Sequence, residues 1–407
     1  GHRITVLLNS AMGERIEYLR AQFSPLLPAS EIKVWRGLSP TGFVRIENGF
    51  RRCASQVLRR QALRSLAPDI VHVASVFEGV ADDVVSTLPM DDGYLNVVTL
   101  YDLIPLVHRQ TYLADPGIRS WYMGRLEQFR NARQMLGISQ FSCDEALQLL
   151  SVPAERVTNI LGAADEIFHK HHVTPRQQQE LYARYGIARP FVMYAGGFDS
   201  RKNIGSLVRA FARLPTGLRR RHQLVIVGQA PGPEKLALEG IAAQAGLGAD
   251  EYVFAGFVPD ADLVKLYNLC QLYAFPSLQE GFGLPALEAM ASGAVVIGSN
   301  TSSLPEVIGM ADALFDPTSE TELSAKLEFA LTNEGFRQRF LEQSAAQVAK
   351  FSWSETSRRA LDGMEAAFER EKPAGRRAWP DSVAGVERLG VVSTPTSALQ
   401  ISGKAEV

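Results

Sequence analysis

Two glutamates that flank a glycine-rich turn are the residues in this sequence best suited to ligand chemistry. Glu280 and Glu288 lie eight positions apart in the stretch QEGFGLPALE, and two glycines and a proline stand between them. Proline suits the first turn of a helix, where its missing N–H needs no partner. Glycines allow positive φ angles and a close approach of the backbone to a ligand. The stretch therefore predicts a ligand-binding turn that opens a helix.

Two cations, Arg201 and Lys202, follow another predicted strand in the stretch GGFDSRKN. Helix N-termini add free N–H groups and a positive dipole end, which bind phosphate oxygens. Together these features predict a diphosphate site without a Walker lysine or a GxGxxG motif. A carboxylate can accept two hydrogen bonds from a vicinal diol such as a ribose, which is the role predicted for Glu288. Glu280 would then face the group carried on the diphosphate, so the predicted ligand is a nucleotide sugar.

Each of these residues also has a simpler explanation. Glu288 could only favour the N-terminus of its helix electrostatically. Ser303 and Glu306 fit a capping box, Ser-x-x-Glu, and Arg201 and Lys202 could lie in a solvated loop. Gly-rich or Ser-rich loops follow three strands of one predicted sheet. This shared location favours the interpretation as a binding site over the separate, simpler explanations.

The elements that must position these residues are predicted from alternating short apolar runs and longer amphipathic stretches. Near-continuous apolar strands that alternate with helices indicate buried parallel sheets, whose carboxyl ends meet at one edge where ligands bind. Two such series predict two doubly wound domains. The predicted strands are Ile4–Leu8, Ile32–Trp35, Ile70–Val73, Asn96–Leu100, Met135–Ile138 and Val157–Ile160, then Phe191–Ala195, Gln223–Val227, Tyr252–Phe254, Leu272–Phe275, Ala294–Ile297 and Ala313–Phe315.

Composition sets broader limits on the class of protein. A chain of 407 residues exceeds what one core usually supports, and a net charge of −2 argues against nucleic acid as a partner. No apolar run reaches the roughly 18–20 residues of a membrane span. The three cysteines lack metal-ligand spacing and are typical of reduced, buried cysteines, which predicts a cytoplasmic protein. The polar segment 164–175 holds three histidines, for which a solvated linker is a plainer explanation than a metal site.

Longer motifs resemble the family 4 retaining glycosyltransferases with the GT-B fold. The resemblance rests on FPSLQEGFGLPALEAMASG and the stretch after it, on YAGGFDSRKN and on FSWSET, and it covers roughly residues 1 to 370. VVTLYDLIPLVH and YLADPGIRSWYMGRLE are similar to bacterial mannosyltransferases that build O-antigen or other polysaccharides.

The resemblance implies a role for each matching residue. Tyr101 stands where many relatives have the histidine of a His-Asp pair, which leaves the sugar-facing role of that position open. The implied catalytic residues are Glu280 beside the donor sugar, Arg201 and Lys202 on the diphosphate, and Asp102 facing the cleft. The implied donor-binding residues near the phosphate and the sugar are Gly197, Phe282, Gly283, Leu284, Ser302 and Ser303. Glu288 would bind the ribose, and Val258, with Phe257, would lie near the base.

The implied fold class is α/β, a GT-B fold of two Rossmann-like, doubly wound domains whose parallel sheets face a cleft. We expect an acceptor-side domain over residues 1–165 and a nucleotide-sugar-binding domain over 166–352. A helix over 353–371 would cross back to the first domain, and 372–407 would form a linker or tail. The family's usual Gly-rich loop is not found before Ile4–Leu8, which resembles the family's second strand, so an initial segment is expected to be missing. Leu389–Val392 would then either begin a second module or fill the vacant place in the sheet.

The implied activity is transfer of a hexose, with mannose from GDP-mannose as the expectation, to a glycan or lipid-linked acceptor. Retention without an evident nucleophile implies front-face transfer, in which the leaving diphosphate accepts the proton of the acceptor hydroxyl. No DxD-like motif follows a strand, so we expect no metal and no cofactor besides the nucleotide sugar. Two alternatives stay open: a sugar-nucleotide epimerase of the same architecture, and a non-catalytic partner that binds the nucleotide sugar weakly or not at all.

Arginines cluster on the predicted helix Phe50–Leu66, among apolar residues. One interpretation is a solvated basic face. The other is peripheral docking to the anionic inner face of the cell membrane, where a lipid-linked acceptor would lie.

Overall fold

Alternating strands and helices occupy residues 1–88 and 93–371, the part of the chain that this computed structural model describes. Residues 1–370 make one compact unit, and of the second unit, 371–407, the described part is Glu371. The predicted tail over 372–407 and the hypothesised strand Leu389–Val392 therefore lie outside the described residues. Within the described ranges every predicted strand is present, with each end shifted by at most two residues.

The first-half strands form two parallel sheets in the described residues. In one sheet β1 pairs with β2, and in the other the order is β3-β4-β5-β6. Leu7 of the smaller sheet packs against the apolar core of the larger one, which includes Val71 and Val98. The bounds are β1 Val6–Asn9, β2 Ile32–Trp35, β3 Ile70–Val73, β4 Leu95–Leu100, β5 Gln134–Gly137 and β6 Val157–Asn159.

The second-half strands form a parallel sheet in the order β12-β11-β10-β7-β8-β9. From β7 the chain winds outward through β8 and β9, then returns to the other side of β7 with β10. The winding direction therefore reverses between the adjacent strands β7 and β10, and ligands bind at such switch points. The bounds are β7 Phe191–Ala195, β8 Gln223–Val227, β9 Tyr252–Gly256, β10 Leu272–Phe275, β11 Val296–Ser299 and β12 Leu314–Phe315.

Helices of the first half cover the sheets and begin at residues that satisfy free N–H groups. The Asp115 side chain accepts from Ile118 N, and the Ser139 side chain accepts from Ser142 N. The bounds are α1 Gly13–Phe23, α2 Gly49–Leu66, α3 Ile104–Val107, α4 Arg109–Tyr112, α5 Pro116–Arg130 and α6 Gln140–Leu150.

Helices of the second half contribute to a large apolar core that includes residues of five strands of its sheet, and the half-buried strand β9 packs against it. At the start of this half, Thr174 and Gln177 form a reciprocal capping box. The bounds are α7 Pro175–Tyr185, α8 Ile204–Ala212, α9 Thr216–Arg221, α10 Gly232–Gln244, α11 Asp260–Leu269, α12 Leu284–Ala291, α13 Leu304–Ile308, α14 Glu320–Thr332, α15 Glu334–Val348 and α16 Trp353–Glu371.

The last helix, α16, packs against the first half of the chain. Ala367 is fully buried in a cluster with Leu95 and Val97 of β4. At the beginning of the helix, Thr356 Oγ1 donates to the carbonyl of Leu161, at 3.4 Å. The chain therefore enters the second half and leaves it at adjacent points.

Candidate functional site

The loops after β7 and β10 are tied together at the switch point. Asn203, in the left-handed conformation with φ of 56°, donates its side-chain amide to the carbonyl of Pro276 at 3.1 Å. Leu278 N donates to the carbonyl of Arg201 at 2.8 Å. These bonds hold the two cations of one loop next to the glutamate of the other.

Glu280 lies between the two cations and bonds to both. Lys202 Nζ is 2.7 Å from Glu280 Oε1, and Arg201 Nη1 is 3.0 Å from Oε2. The three side chains are only 10–16% exposed, so water screens the pairs weakly. Burial acts to lower the pKa of Arg201, but Glu280, Tyr112 and Asp199 outweigh it and raise that pKa. The structure thus brings together three of the four predicted catalytic residues.

Gly281 brings this cluster into contact with the first half. A Cβ atom at position 281 would overlap the carbonyl oxygen of Tyr101 and lie 3.0 Å from the Cβ of Asp102. The carbonyl of Gly281 accepts from Ser139 Oγ at 2.6 Å and from Ser142 Oγ at 3.0 Å. Only glycine fits this close approach between the halves.

Asp102, the fourth predicted catalytic residue, follows β4 on the opposite side of this contact. Its Oδ1 accepts from Ile104 N at 3.0 Å. Burial is the main cause that raises its pKa, and the nearby charge of Glu280 adds to it, whereas Arg201 acts in the opposite direction. The adjacent Tyr101 side chain is half exposed at this edge.

Glu288 lies in the second turn of α12, because that helix begins at Leu284 and not later. A place beyond the first turn weakens the purely electrostatic explanation for this residue. Tyr267 donates its hydroxyl to Glu288 Oε2 at 3.3 Å. Burial, with smaller repulsion from Asp260 and Asp165, raises the pKa of Glu288 to about 7.

Ser302 and Ser303 shape the glutamate loop through their hydroxyls. Ser303 Oγ donates to the carbonyls of Glu280 and Phe282, at 3.0 and 2.8 Å. Ser302 Oγ accepts from Glu280 N at 3.0 Å. Phosphate contacts by these two residues remain a prediction.

The predicted capping box of Ser303 and Glu306 is wrong. Ser303 makes no side-chain cap bond to α13. The Glu306 carboxylate instead accepts from Gln140 N and Phe141 N, both at 3.0 Å. It caps α6 of the first half, because the two helix N-termini face each other across the contact.

The remaining predicted donor-binding residues line the same edge of the sheet. The carbonyl of Gly197 accepts from Tyr194 Oη at 2.7 Å. Val258 is buried after β9, next to a Phe257 side chain that is 71% exposed.

Phe282, Gly283 and Leu284 complete the turn into α12. The ring of Phe282 is buried against Gly162 and Phe351, so only its backbone can face a ligand. Gly283 takes a φ of +101°, which favours glycine. Leu284 is exposed.

Sequence reasoning missed a buried polar group beside this site. Gln279 Nε2 donates to Glu145 Oε1 at 2.6 Å, and Gln279 Oε1 is 2.7 Å from His108 Nε2. Burial, with repulsion from Asp102, raises the pKa of Glu145 to about 7. No local sequence signal marks Glu145, because its partner Gln279 lies 134 positions away in the chain.

Two features are absent from residues 1–88 and 93–371. In that part of the chain no three His, Cys, Asp or Glu side chains gather as metal ligands, and metal independence remains a prediction. Nor does any helix there combine the length and the apolar sequence that crossing a membrane requires.

Comparison with known proteins places these features in context. Residues 177–347 match the family model described as glycosyl transferases group 1. The serotype-specific mannosyltransferase WbdA of Escherichia coli is 37% identical over 374 residues, which are 91% of this chain and 46% of that protein. The O-antigen chain mannosyltransferase B of Escherichia coli is 32% identical over 58% of this chain and 61% of its own length. The chain thus spans about half the length of the WbdA relative.

Several solved structures are similar to this chain, and the similarity concerns the fold alone. A glycosyltransferase from Rickettsia africae has a TM-score of 0.63 at 16% identity and covers 90% of this chain and 100% of its own. WaaG, a glycosyltransferase involved in lipopolysaccharide biosynthesis, has a TM-score of 0.62 at 17% identity, with 88% and 99% covered. These likenesses confirm the predicted fold class.

Proposed function

We propose that the chain is a retaining glycosyltransferase with the GT-B fold, because residues 177–347 match the family model described as glycosyl transferases group 1. It would move a hexose, mannose, from a nucleoside-diphosphate sugar to a glycan or lipid-linked acceptor in cell-surface polysaccharide synthesis. The names of the mannosyltransferase relatives support the choice of sugar.

The single observation that carries the proposal is the buried cluster of Arg201, Lys202 and Glu280 at the switch point. Two fixed cations on one loop and the N-terminus of α12 on the other can hold a diphosphate from two sides. Their positive charge is placed where negative charge grows as the diphosphate leaves, and such preorganised charge lowers the barrier.

The transfer itself takes place on one face of the sugar. The acceptor oxygen bonds to the anomeric carbon, the bond from that carbon to the diphosphate breaks, and the acceptor proton passes to the leaving phosphate oxygen. Arg201 and Lys202 hold that oxygen's charge, and Glu280 both orients the two cations and faces the sugar. Asp102 approaches from the first half, where the acceptor would lie.

The nucleoside would extend along the second half towards β9. Glu288 binds the ribose diol and is oriented by Tyr267. The exposed ring of Phe257, beside Val258, offers a stacking surface for the base. No cofactor and no metal are part of this scheme.

Peripheral membrane contact belongs to the proposal through α2. That helix carries five arginines and no acidic residue. Its arginines are partly engaged, since Arg59 donates to the carbonyl of Thr87 and Arg51 to that of Pro40. Apolar Phe50, Val57 and Leu58 are exposed on this helix, and we expect the two most exposed, Phe50 and Val57, to enter the interface of an anionic membrane at the cytoplasmic face.

Sedimentation with vesicles rich in anionic lipid tests the membrane contact. Phe50→Ser with Val57→Ser should release the protein, whereas Leu361→Ser on the exposed face of α16 should not. Equal sedimentation of both variants, or none of the wild type, contradicts it.

The transferase proposal is tested with a panel of nucleotide sugars. Thermal stabilisation by one of them identifies the donor, because binding raises stability by mass action. Transfer to a saccharide acceptor is then measured for wild type, Lys202→Ala and Glu280→Gln. We expect Lys202→Ala to lower turnover about 10²-fold or more.

Arg176→Ala is the matched control, since Arg176 is an exposed cation of the same half, paired only to Glu180 on its own helix in the described residues. Its turnover should equal that of the wild type. Donor binding without transfer would support the non-catalytic alternative, and inversion at the sugar carbon without transfer would support the epimerase. Wild-type turnover in Lys202→Ala would refute the assigned site.

A further inference from the structure

One face at the beginning of α6 contacts one loop of the second half. Ser139 and Ser142 donate to the carbonyl of Gly281, at 2.6 and 3.0 Å, and Glu145 accepts from the side chain of Gln279, at 2.6 Å. Residues three apart on a helix lie on the same face. The three side chains therefore lie together against residues 279–281 of the loop.

The start of α6 is fixed from the second half as well. The carboxylate of Glu306 accepts from Gln140 N and Phe141 N, which satisfies two N–H groups that a helix leaves free. A negative charge at this end also suits the helix dipole. The helix is thus held to the second half by its first turn and by its second.

Gln279 is the central residue of the contact. Its side-chain N–H donates to Glu145, its side-chain oxygen lies 2.7 Å from His108 Nε2, and its carbonyl accepts from Arg201 Nη1 at 2.7 Å. The side chain is buried. One residue therefore joins α6, the end of α3 and a cation of the candidate site.

Side chains of α6 are bonded to the loops on both sides of the cleft. Ser142 Oγ donates to the carbonyl of Tyr101, next to Asp102, at 2.9 Å, and Glu145 accepts from Gln279 at 2.6 Å. Each loop carries one of the two carboxylates that face each other there. The position of α6 therefore sets the position of those carboxylates.

We propose that Gln279 and the α6 face of Ser139, Ser142 and Glu145 are positioning residues that fix Glu280 and its two cations against Asp102. The proposal rests on the proposed transferase function, and it adds residues on the opposite half to the machinery of that site. None of the four needs to touch substrate, since they act through the loop.

The contact depends on the hydrogen bond that the Glu145 side chain accepts, and not on a negative charge on that side chain. The ionisable groups that face this carboxyl are Asp102 and Tyr122, and His108 lies one bond further, through Gln279. Asp102 repels a charged Glu145, and burial disfavours the charge further. A glutamine at position 145 should therefore preserve the contact, whereas a leucine should abolish it.

Hydrogen exchange of the amides in residues 279–283 measures the positioning directly, without any substrate. Glu145→Leu should speed this exchange about tenfold or more, since a buried bond is lost. Glu145→Gln should stay within about threefold of the wild type, and Gln148→Leu, at an exposed position on the same helix, is the control. Equal exchange in Glu145→Leu and the wild type overturns the proposal.

Gln279→Met, a change of similar shape on the loop itself, provides a second variant if Glu145→Leu does not fold. We expect its kcat to fall about 10- to 100-fold with the donor KM within about threefold, because misplacement affects the reacting geometry more than donor binding. A lower Tm with unchanged kcat would indicate a merely structural role and overturn the proposal. If the wild type transfers no sugar from any donor, the proposed function fails, and the exchange rates of Gln279→Met and the wild type still decide the positioning.

Discussion

Glu288 lies in a buried environment that favours a neutral carboxyl, whereas its proposed role in binding the ribose favours an ionised carboxylate. Burial raises its pKa to about 7, so the carboxyl is largely neutral in mildly acidic solution. A ribose diol donates two hydrogen bonds and therefore prefers the ionised carboxylate. Donor binding should release a proton from this residue.

Donor affinity should consequently rise as the pH increases through about 7. Calorimetric titration of the nucleotide sugar between about pH 5.5 and pH 8.5 gives the dissociation constant at each pH, with about tenfold weaker binding per unit below the pKa as the limit. Glu288→Gln should bind weakly with a flat profile over this range. A profile for the wild type that is equally flat would contradict the ribose role.

Gly281 makes a second prediction at the residue scale. Gly281→Ala should force apart the loop and the carbonyl of Tyr101, and a displacement of about 1 Å can cost about 10²-fold in turnover. Gly124→Ala, in α5, is the control, because a Cβ there meets no atom within 4 Å. That control should keep full turnover and gain about 0.5–1 kcal/mol in stability, measured by denaturant unfolding. Normal turnover in Gly281→Ala would contradict the close approach.

At the scale of elements, the sequence predicts features that a local pattern marks, and it does not predict contacts between residues far apart in the chain. Short apolar runs located every strand of the described residues, because buried parallel strands require continuous apolar sequence. The motif after β10 likewise identified Glu280, since turn, helix start and carboxylate lie within a few residues. Gln279 and Glu145 escaped, because their partners are more than a hundred positions away and nothing local marks them.

The capping residues illustrate the same limit. Ser303 and Glu306 have the spacing of a capping box, yet the carboxylate caps a helix that lies about 165 positions earlier. Local spacing cannot tell which of two nearby helix ends a side chain will satisfy. Ser352, by contrast, caps α16 through a 3.2 Å bond from Glu355 N, where no other helix start competes for it.

Helix α16 makes the prediction at this scale. Ala367→Glu would place a charge in the fully buried contact with β4, at a cost of about 3–5 kcal/mol. Leu361→Glu, on the exposed side of the same helix, should change the free energy of unfolding by no more than about 0.5 kcal/mol. Urea denaturation of both variants measures the difference. Similar stability of the two would mean that α16 does not depend on this packing.

At the scale of the whole molecule, two buried carboxyls make stability depend on pH. Glu145 and Glu288 both have a pKa of about 7 in the folded chain against an ordinary value of 4.5. Their contribution is therefore fully present below about pH 4.5 and is lost as the pH rises through about 7. The burial of these two carboxyls thus lowers stability at neutral and alkaline pH relative to acidic pH.

The double variant Glu145→Gln, Glu288→Gln should raise the Tm at pH 8 by about 2–4 °C and leave it nearly unchanged at pH 5. Calorimetric melting at the two values measures the change. Glu328→Gln, an exposed carboxyl on α14, should alter neither Tm. A gain at pH 5 equal to that at pH 8 would assign the effect to packing and not to ionisation.

The bond between Thr356 and Leu161 has a consequence for engineering. It places the beginning and the end of the second half next to each other, so this half is joined to the rest of the chain at two neighbouring positions. A homologous donor domain could be exchanged between these points without lengthening either connection. Under the proposed function, the exchanged half would determine which nucleotide sugar the chimera uses, and the first half would determine the acceptor. The loop of the exchanged half would have to keep its hydrogen bonds to α6.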